Sequence, residues 1–483
     1  MAFDSLAFLI FIIIAIASCH ASRQTSFYPV IIFAINIIFL MSFAHPWTKI
    51  IPLFLFMALG YGLVQSVSVQ TKKPVLGVYV SVVILAFIYL KRYSIIDFLP
   101  PLAATYTTIG LSYILFRIIQ LLVDKQGGDI KEKISPLTYF NFICFFLNFI
   151  SGPIQRFQDY IKQLRFSQTH RLSEKEAFEG LSRVITGFLK VMFWASFVYF
   201  YPQYHDVSYV AGKIANSGIA IKAAWFSFAI ITYTLSFYLN FSGYMDIVIG
   251  LGRLVCFKVP ENFDRPFSSN NFLDFWARWH ITLADWFKFY LFNPLLKAMM
   301  HRWSSAAVVP YLGVIAYFVT FFVMGIWHGT TVMFVIYGLF LGLGVSINKL
   351  YQVLMREWMG KKGYSSLTQN SGYIYLSRGF TWSYFCLALT CLWLNPDQLT
   401  QLFAGSIGAV LLTGFVIVGF FFAVAIYIWD SCAWGVSRMV QVMKINRDQP
   451  VLKNIWLALK LLFVVYIILV SVNPAPAFVY QAF

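Results

Sequence analysis

Residues 321–340 read FFVMGIWHGTTVMFVIYGLF and lie in the middle of a much longer apolar run. A helix crosses the hydrocarbon of a bilayer with about 20 consecutive apolar residues, so this stretch belongs either to one span or to the break between two. His328 stands at its centre, flanked by Gly325, Trp327, Gly329, Thr330 and Thr331. An ionisable side chain at membrane depth is expensive and marks a functional candidate. Imidazole is also the side chain that takes up a proton near neutral pH. The plainer alternative is a helix break in which His328 hydrogen-bonds a neighbouring helix. The two glycines lower local helix propensity and let another backbone come close.

Outward from that stretch the chain keeps the same character. Of its 483 residues 60% are hydrophobic, 19% aromatic and only 11% charged, where a soluble domain carries about 25% charged residues. A soluble enzyme with one large core is excluded, and a mean hydropathy of +0.73 excludes a disordered chain. The first run, MAFDSLAFLIFIIIAIASCHASR, has Asp4 before it and Arg23 after it. That is the reverse of a secretory signal with its basic start, so it reads as a retained helix with its N-terminus outside. Further spans are expected at 27–44, 50–66, 75–90, 102–123, 138–150, 184–201, 219–239, 309–325, 329–348, 374–394, 406–429 and 455–472. The fold class is therefore an all-α integral membrane protein of about 11–14 membrane helices. The short runs 138–150 and 244–257 suggest re-entrant or half-inserted pieces.

The 36 Lys and Arg outnumber the 19 Asp and Glu, for a net charge of +17. These basic residues sit in the short connections between apolar runs, where cytoplasmic retention and anionic headgroups favour them. No recognisable nucleic-acid motif accompanies the charge, so the partner it implies is membrane lipid and not nucleic acid. The six cysteines (Cys19, Cys144, Cys256, Cys386, Cys391, Cys432) form no CxxC pair and read as small buried hydrophobes. No repeat of 20–50 residues is evident, and the halves lack the matched interrupted helices of many transporters. Gly325-x-x-x-Gly329 and Gly338-x-x-x-Gly342 have the spacing that lets helices pack closely in lipid.

A second informative stretch is 260–296, PENFDRPFSSNNFLDFWARWHITLADWFKFYLFNPLL. Its proline- and asparagine-rich start supplies a loop and N-cap candidates. From Phe272 the apolar residues recur at helical spacing through Trp276, Trp279, Leu283, Trp286, Phe287 and Tyr290, with Asp274, Arg278, Thr282 and Asp285 opposite. One amphipathic helix is expected, lying in the interface or lining a wet cavity. His280 falls on its apolar side, as either a packing residue or a second functional group, and Arg278 as a headgroup or dipole contact. Neither His280 nor His328 belongs to a metal motif, and no GxSxG elbow is present. Gly250-x-Gly252 is too fragmentary for a dinucleotide loop. His20, His45, His170, His205 and His301 read as solvated or interfacial residues at loops and span ends.

RWHITL (278–283) followed by MGIWHG (324–329), preceded by GPIQRFQDY (152–160), NFSGYMDIVIGLG (240–252) and PENFDRPF (260–267), resembles the membrane-bound O-acyltransferase (MBOAT) superfamily. Within it the chain is similar to the bacterial branch of alginate O-acetylation (AlgI) and D-alanyl transfer (DltB) proteins. The likeness covers about 150–350 in family order. Departures are Ala277, where relatives more often have a second Arg, Lys288-Phe289 in place of Arg-Asp, and the lack of a further His near Leu341.

The resemblance implies one membrane domain over 1–483, with N-terminal spans to 135, a catalytic core over 136–350 and C-terminal spans from 351. It implies a ring of helices around a thinned centre and a central tunnel joining the two faces. His328 becomes the family's catalytic histidine and His280 the second. Trp279 and Trp327 are expected to pack the tunnel wall. Trp276, Arg278 and Asp285 are further candidates for substrate or tunnel contacts, and Ser242 and Asp246 for the donor path or a capped helix start. No metal and no bound cofactor are expected. The donor is an acyl thioester, acetyl-CoA in the leading reading, or an acyl carrier protein in the D-alanyl one. The acceptor is an extracellular or cell-wall polysaccharide, with an extracytoplasmic SGNH-type partner completing delivery, and the location is the bacterial cytoplasmic membrane. Three alternatives stay open: D-alanyl transfer to teichoic acid, a lipid or protein acyltransferase, and a transporter or scramblase gated at His328.

Overall fold

The computed structural model describes residues 6–43, 46–100, 102, 109–198, 210, 212, 216–403, 405–442 and 450–470. The expectations for His45 and His205, and for the ends of several spans, fall outside these residues. Among the described residues six helices are long and apolar enough to cross a membrane: Trp47–Ser66, Lys73–Lys91, Ile219–Leu254, Val309–Trp327, Val332–Gln369 and Ile407–Met439. Shorter apolar helices cover Ala7–Ser22 and Tyr28–Met41. The protein is thus an all-α, multi-pass integral membrane protein. Several helices begin with proline in the first turn, as at Pro29, Pro52, Pro74 and Pro310. There its fixed φ suits the helix and its missing N–H breaks no bond.

The chain forms two compact units, and the helix Ile219–Leu254 contributes to both. The first takes the chain up to Val191 together with Phe241–Glu261. Its core holds Arg117, on the helix Leu111–Gln126, almost wholly out of solvent. The guanidinium donates to the Ile143 carbonyl and, at 2.6 and 2.8 Å, to the backbone and side-chain oxygens of Asn148. These bonds hold an irregular stretch, so 138–150 is not one continuous span but a short helix and a buried irregular segment. A helix covers only Pro136–Ile143, and the chain beyond it is buried but not helical. Non-helical backbone at depth survives only when protein groups satisfy it; besides Arg117, Asn36 Oδ1 accepts from the Phe146 N–H at 2.9 Å.

The 244–257 run, by contrast, is not a half-inserted piece. Most of it is the end of the 36-residue helix Ile219–Leu254, about 54 Å long at 1.5 Å per residue. Glycines on both helices let the helix Glu174–Phe188 approach. A Cβ at Gly187 would lie 2.5 Å from the Gly243 carbonyl oxygen, and one at Gly250 2.7 Å from the Gly180 carbonyl oxygen. The 174–188 helix starts with a capping box, in which Ser173 and Glu176 satisfy each other's backbone N–H groups.

The second unit takes Met192–Asn240 and Asn262–Ile467. Here Val309–Trp327 and Val332–Gln369 pack with their backbones almost touching. A Cβ at Gly325 would overlap the Gly338 Cα, and one at Gly338 would lie 2.6 Å from the Phe322 carbonyl oxygen. The small residues at helix-packing spacing serve this crossing. The Val332–Gln369 helix kinks at Gly360, whose φ of 70° is open to glycine without strain. The helices Ser371–Leu389 and Ile407–Val442 meet in the same way at Gly379, where a Cβ would fall onto the Gly419 carbonyl.

Candidate active site

The stretch expected to form one amphipathic helix is broken at its most important residue. Short helices cover Phe272–Trp276 and Ile281–Phe287, with a wider π turn from Lys288 to Phe292 before Asn293–Arg302. Between the first two, His280 adopts φ 48° and ψ 48°. This left-handed conformation disfavours residues with a Cβ, although histidine tolerates it better than most. The break comes from a contact that helical periodicity does not reveal. The segment around Phe263 runs antiparallel to Trp279: Asp264 N–H donates to Arg278 O and Ile281 N–H to Asn262 O, both at 3.0 Å.

Asn262 is the hub of this turn and is fully buried. Its Oδ1 accepts from the Thr282 backbone N–H at 3.1 Å and the Thr282 hydroxyl at 2.9 Å. Its Nδ2 lies 3.2 Å from His280 Nδ1. His280 is 2% exposed and lies outside the six long apolar helices. Burial first, and the His328 imidazole second, hold its pKa well below the ordinary histidine value.

His328 is 8% exposed and follows the last residue of the helix Val309–Trp327. It therefore stands at the helix break, as the plainer reading of the sequence had it. Its ring is bonded within its own helix and not across to another for this contact: Nδ1–H donates to the Met324 carbonyl at 2.7 Å. In the neutral form of an imidazole, which carries one N–H, this bond places that N–H on Nδ1 and leaves Nε2 as the proton-accepting atom. Trp327 and Tyr337 stand edge-on to the ring, with centroids at 4.9 and 5.4 Å. Gly329 lies beneath the Phe334 ring, where a Cβ has no room.

Of the remaining candidates, Trp276, Arg278, Trp279, Asp285 and Trp327 share the second unit with both histidines. Trp279 is buried among Phe275, Phe263, Phe385 and Phe237, and Trp276 stands against Phe321 and Phe272. Arg278 is engaged by protein carboxylates, Asp274 at 3.0 Å and Asp264 at 3.5 Å. Asp285 is exposed. Ser242 and Asp246 belong to the first unit, and they lie within the long helix, not at the capped helix start that the sequence suggested. Asp246 is gripped by Arg183 at 2.9 Å and Lys190 at 2.7 Å, and Arg183 also pairs with Glu261. Sequence reasoning passed over Asn262 and Met324. Asn262 lay in plain view inside PENFDRPF, but only the fold shows what it faces.

Among the described residues no three His, Cys, Asp or Glu side chains come together to hold a metal ion. All six cysteines are free, and only Cys432 is exposed. An imidazole held by Nδ1–H beside a second buried imidazole suits proton removal from a weak acid and stabilisation of an oxyanion.

Comparison with known proteins agrees with the motifs. The model of the membrane-bound O-acyltransferase family matches residues 11–395. The teichoic acid D-alanyltransferase of Bacillus subtilis is 27% identical over 281 residues, which is 58% of this chain and 66% of that protein. The probable alginate O-acetylase AlgI of Pseudomonas syringae pv. tomato is 32% identical over 242 residues, 50% of this chain and 42% of that one. The peptidoglycan O-acetyltransferase of Helicobacter pylori is 25% identical over 288 residues, 56% of this chain and 51% of its own length. The chain thus aligns with less than two thirds of each of these relatives. Motifs in family order and a family match over most of its length lead to one conclusion: this chain belongs to the membrane-bound O-acyltransferase family.

Proposed function

We propose that the protein is an O-acyltransferase that passes an acyl group, acetyl in the leading reading, from a cytoplasmic thioester across a bacterial cytoplasmic membrane to an acceptor hydroxyl, for O-acylation of an extracellular or cell-wall polysaccharide. The observation that carries this reading is His328, a buried imidazole between two long apolar helices whose Nδ1–H is committed to Met324 and whose Nε2 is therefore basic. Transfer from a thioester to an alcohol is downhill. The protein has only to align the reactants, remove a proton and stabilise the developing oxyanion. His328 Nε2 takes the hydroxyl proton while the hydroxyl oxygen attacks the thioester carbonyl carbon. The tetrahedral intermediate collapses with cleavage of the C–S bond, and the departing thiolate takes the proton from His328. His280 stands at the carbonyl. Delivery to the polymer is completed by an extracytoplasmic SGNH-type partner. Acetyl-CoA is the donor we favour.

D-Alanyl transfer from a carrier protein is the second reading, favoured by the Bacillus subtilis relative, whose match covers more of its own length than the alginate one does. The test is made in the native cells, where any partner is present. Wild type and His328→Gln are expressed at equal level, and alkali-labile acids are released from envelope and secreted polymers. Loss of acetate in the variant supports polysaccharide O-acetylation. Loss of D-alanine moves the protein to the second reading. No change in either, with the variant present in the membrane, removes His328 from catalysis and overturns the acyl-transfer reading.

A further inference from the structure

We propose that Asn262 is a positioning residue that sets the tautomer of His280, so that the two site histidines work in opposite senses: His328 presents an unprotonated Nε2 to accept a proton, and His280 presents Nε2–H to the thioester carbonyl oxygen. The proposal rests on the acyl-transfer reading and deepens it.

The argument starts from which amide atom of Asn262 faces the ring. A backbone N–H can only donate, so the atom 3.1 Å from the Thr282 nitrogen is the amide oxygen. The Thr282 hydroxyl, 2.9 Å from the same atom, donates to it as well. Two donors use both lone pairs of that oxygen. The amide nitrogen is thereby turned to His280 Nδ1 at 3.2 Å. The amide oxygen is also 3.3 Å from Nδ1, but a third donor would find its lone pairs taken. An amide N–H only donates, so Nδ1 must offer its lone pair. Burial disfavours the imidazolium, and a neutral ring has one N–H. It is carried by Nε2.

The same logic runs the other way at His328, whose Nδ1 faces the Met324 carbonyl, a pure acceptor. One ring therefore carries its proton on Nδ1 and the other on Nε2. A donor aimed at the position of a developing oxyanion is worth 10²–10³ in turnover. His280 transfers no proton in this scheme; its N–H shortens its bond as negative charge grows on the carbonyl oxygen. The left-handed turn at His280 and the Phe263–Trp279 bridge bring ring and amide together from positions 18 residues apart.

The test reads the tautomer directly. Full-length protein is labelled with ¹⁵N-histidine and purified in detergent, and the imidazole nitrogen shifts are recorded. The His280 and His328 signals are identified by their loss in His280→Gln and His328→Gln. The expected result is an Nε2–H ring for His280 and an Nδ1–H ring for His328. An Nδ1–H ring at His280 in the wild type overturns the proposal, whatever the activity. In Asn262→Asp the carboxylate accepts from Nδ1–H, so the His280 ring switches tautomer or becomes charged, and polymer-bound acyl groups fall 10²–10³-fold at equal protein level. A folded Asn262→Asp that keeps the wild-type ring signal and activity also overturns it. If Asn262→Asp fails to fold, the wild-type spectrum still decides. Failure of the acyl-transfer reading is distinct, since it shows as unchanged acetate and D-alanine in His328→Gln.

Discussion

Replacing Gly338 by alanine adds one methyl group at the place where two membrane helices come closest. Its Cβ would lie 2.6 Å from the Phe322 carbonyl oxygen and 3.4 Å from the Ile326 nitrogen. Ordinary carbon contacts begin near 3.5 Å, so the helices must part by about 0.8–0.9 Å. The atom met is backbone, which cannot swing aside as a side chain would. Forced separation of this kind costs about 1–3 kcal/mol. The Phe322 carbonyl is also only six positions before His328, so the parting reaches the base. Misplacement by about 1 Å costs up to 10²-fold in rate. Gly338→Ala should therefore lower both the thermal midpoint in detergent and the acyl content of the polymer, with acyl content the more strongly reduced. Gly342→Ala, whose Cβ would sit 2.9 Å from the Phe318 carbonyl oxygen one turn away, should cost stability with a smaller loss of transfer. Gly313→Ala is the control, because only the Lys349 Cε comes near, at 3.9 Å. It should be neutral, or stabilising by about 0.5–1 kcal/mol through helix propensity. A Gly338→Ala protein as stable and active as wild type would refute the claim that this crossing sets the position of His328.

Two further outcomes test the first unit. Asp246 is 14% exposed and accepts from both Arg183 and Lys190, so Asp246→Ala takes the carboxylate from Lys190 and one of two from Arg183, and should lower stability by about 2 kcal/mol. Arg183 keeps Glu261, so adding Lys190→Met should restore part of the loss; an unchanged melting curve for Asp246→Ala would contradict the clamp. The Glu176 carboxyl is lowered from 4.5 to about 2, first by the Ser173 backbone N–H and then by His170. A carboxylate held low in the folded state stabilises it fully above its unfolded pKa, and the gain is lost as pH falls through the folded value. Wild type should then exceed Glu176→Gln in stability above about pH 4.5, and the gap should close towards pH 2. The group is partly solvated, so the gap is small; melting curves of the two proteins across that range measure it, and a gap that widened on acidification would contradict the assignment.

How much of this the sequence disclosed depended on the range of the interaction. Hydropathy located the long apolar helices because a span is a local property of about 20 residues. The glycines at 325 and 338 announced a close crossing for the same reason, and the structure puts them against each other. The reading failed where a distant partner overrules local preference. Periodicity made 272–290 one helix, yet the chain turns left-handed at His280 because Asn262 and Phe263, nearly 20 positions upstream, pin it there. The shortness of 138–150 warned against a clean span, but not that the Arg117 guanidinium would supply the donors that let residues 144–150 stay irregular. Conversely Asn240, Ser242 and Gly243 looked like an interruption. They run on as helix because the 174–188 segment packs into the notch the glycine leaves.

The left-handed turn at His280 also bears on when the site is assembled. Its φ of 48° and the Phe263–Trp279 bridge are held by contacts within the chain itself, from Asn262 and the segment around Phe263. On the proposed mechanism, the ring is already aimed when an acyl donor arrives, and the strain of aiming it was met once, during folding. Preorganised dipoles of this kind need no rearrangement at the moment of reaction. Mutagenesis at this position is constrained accordingly: a β-branched replacement would distort the backbone as well as remove the imidazole, whereas asparagine, which accepts the left-handed region, removes the chemistry and leaves the path of the chain intact.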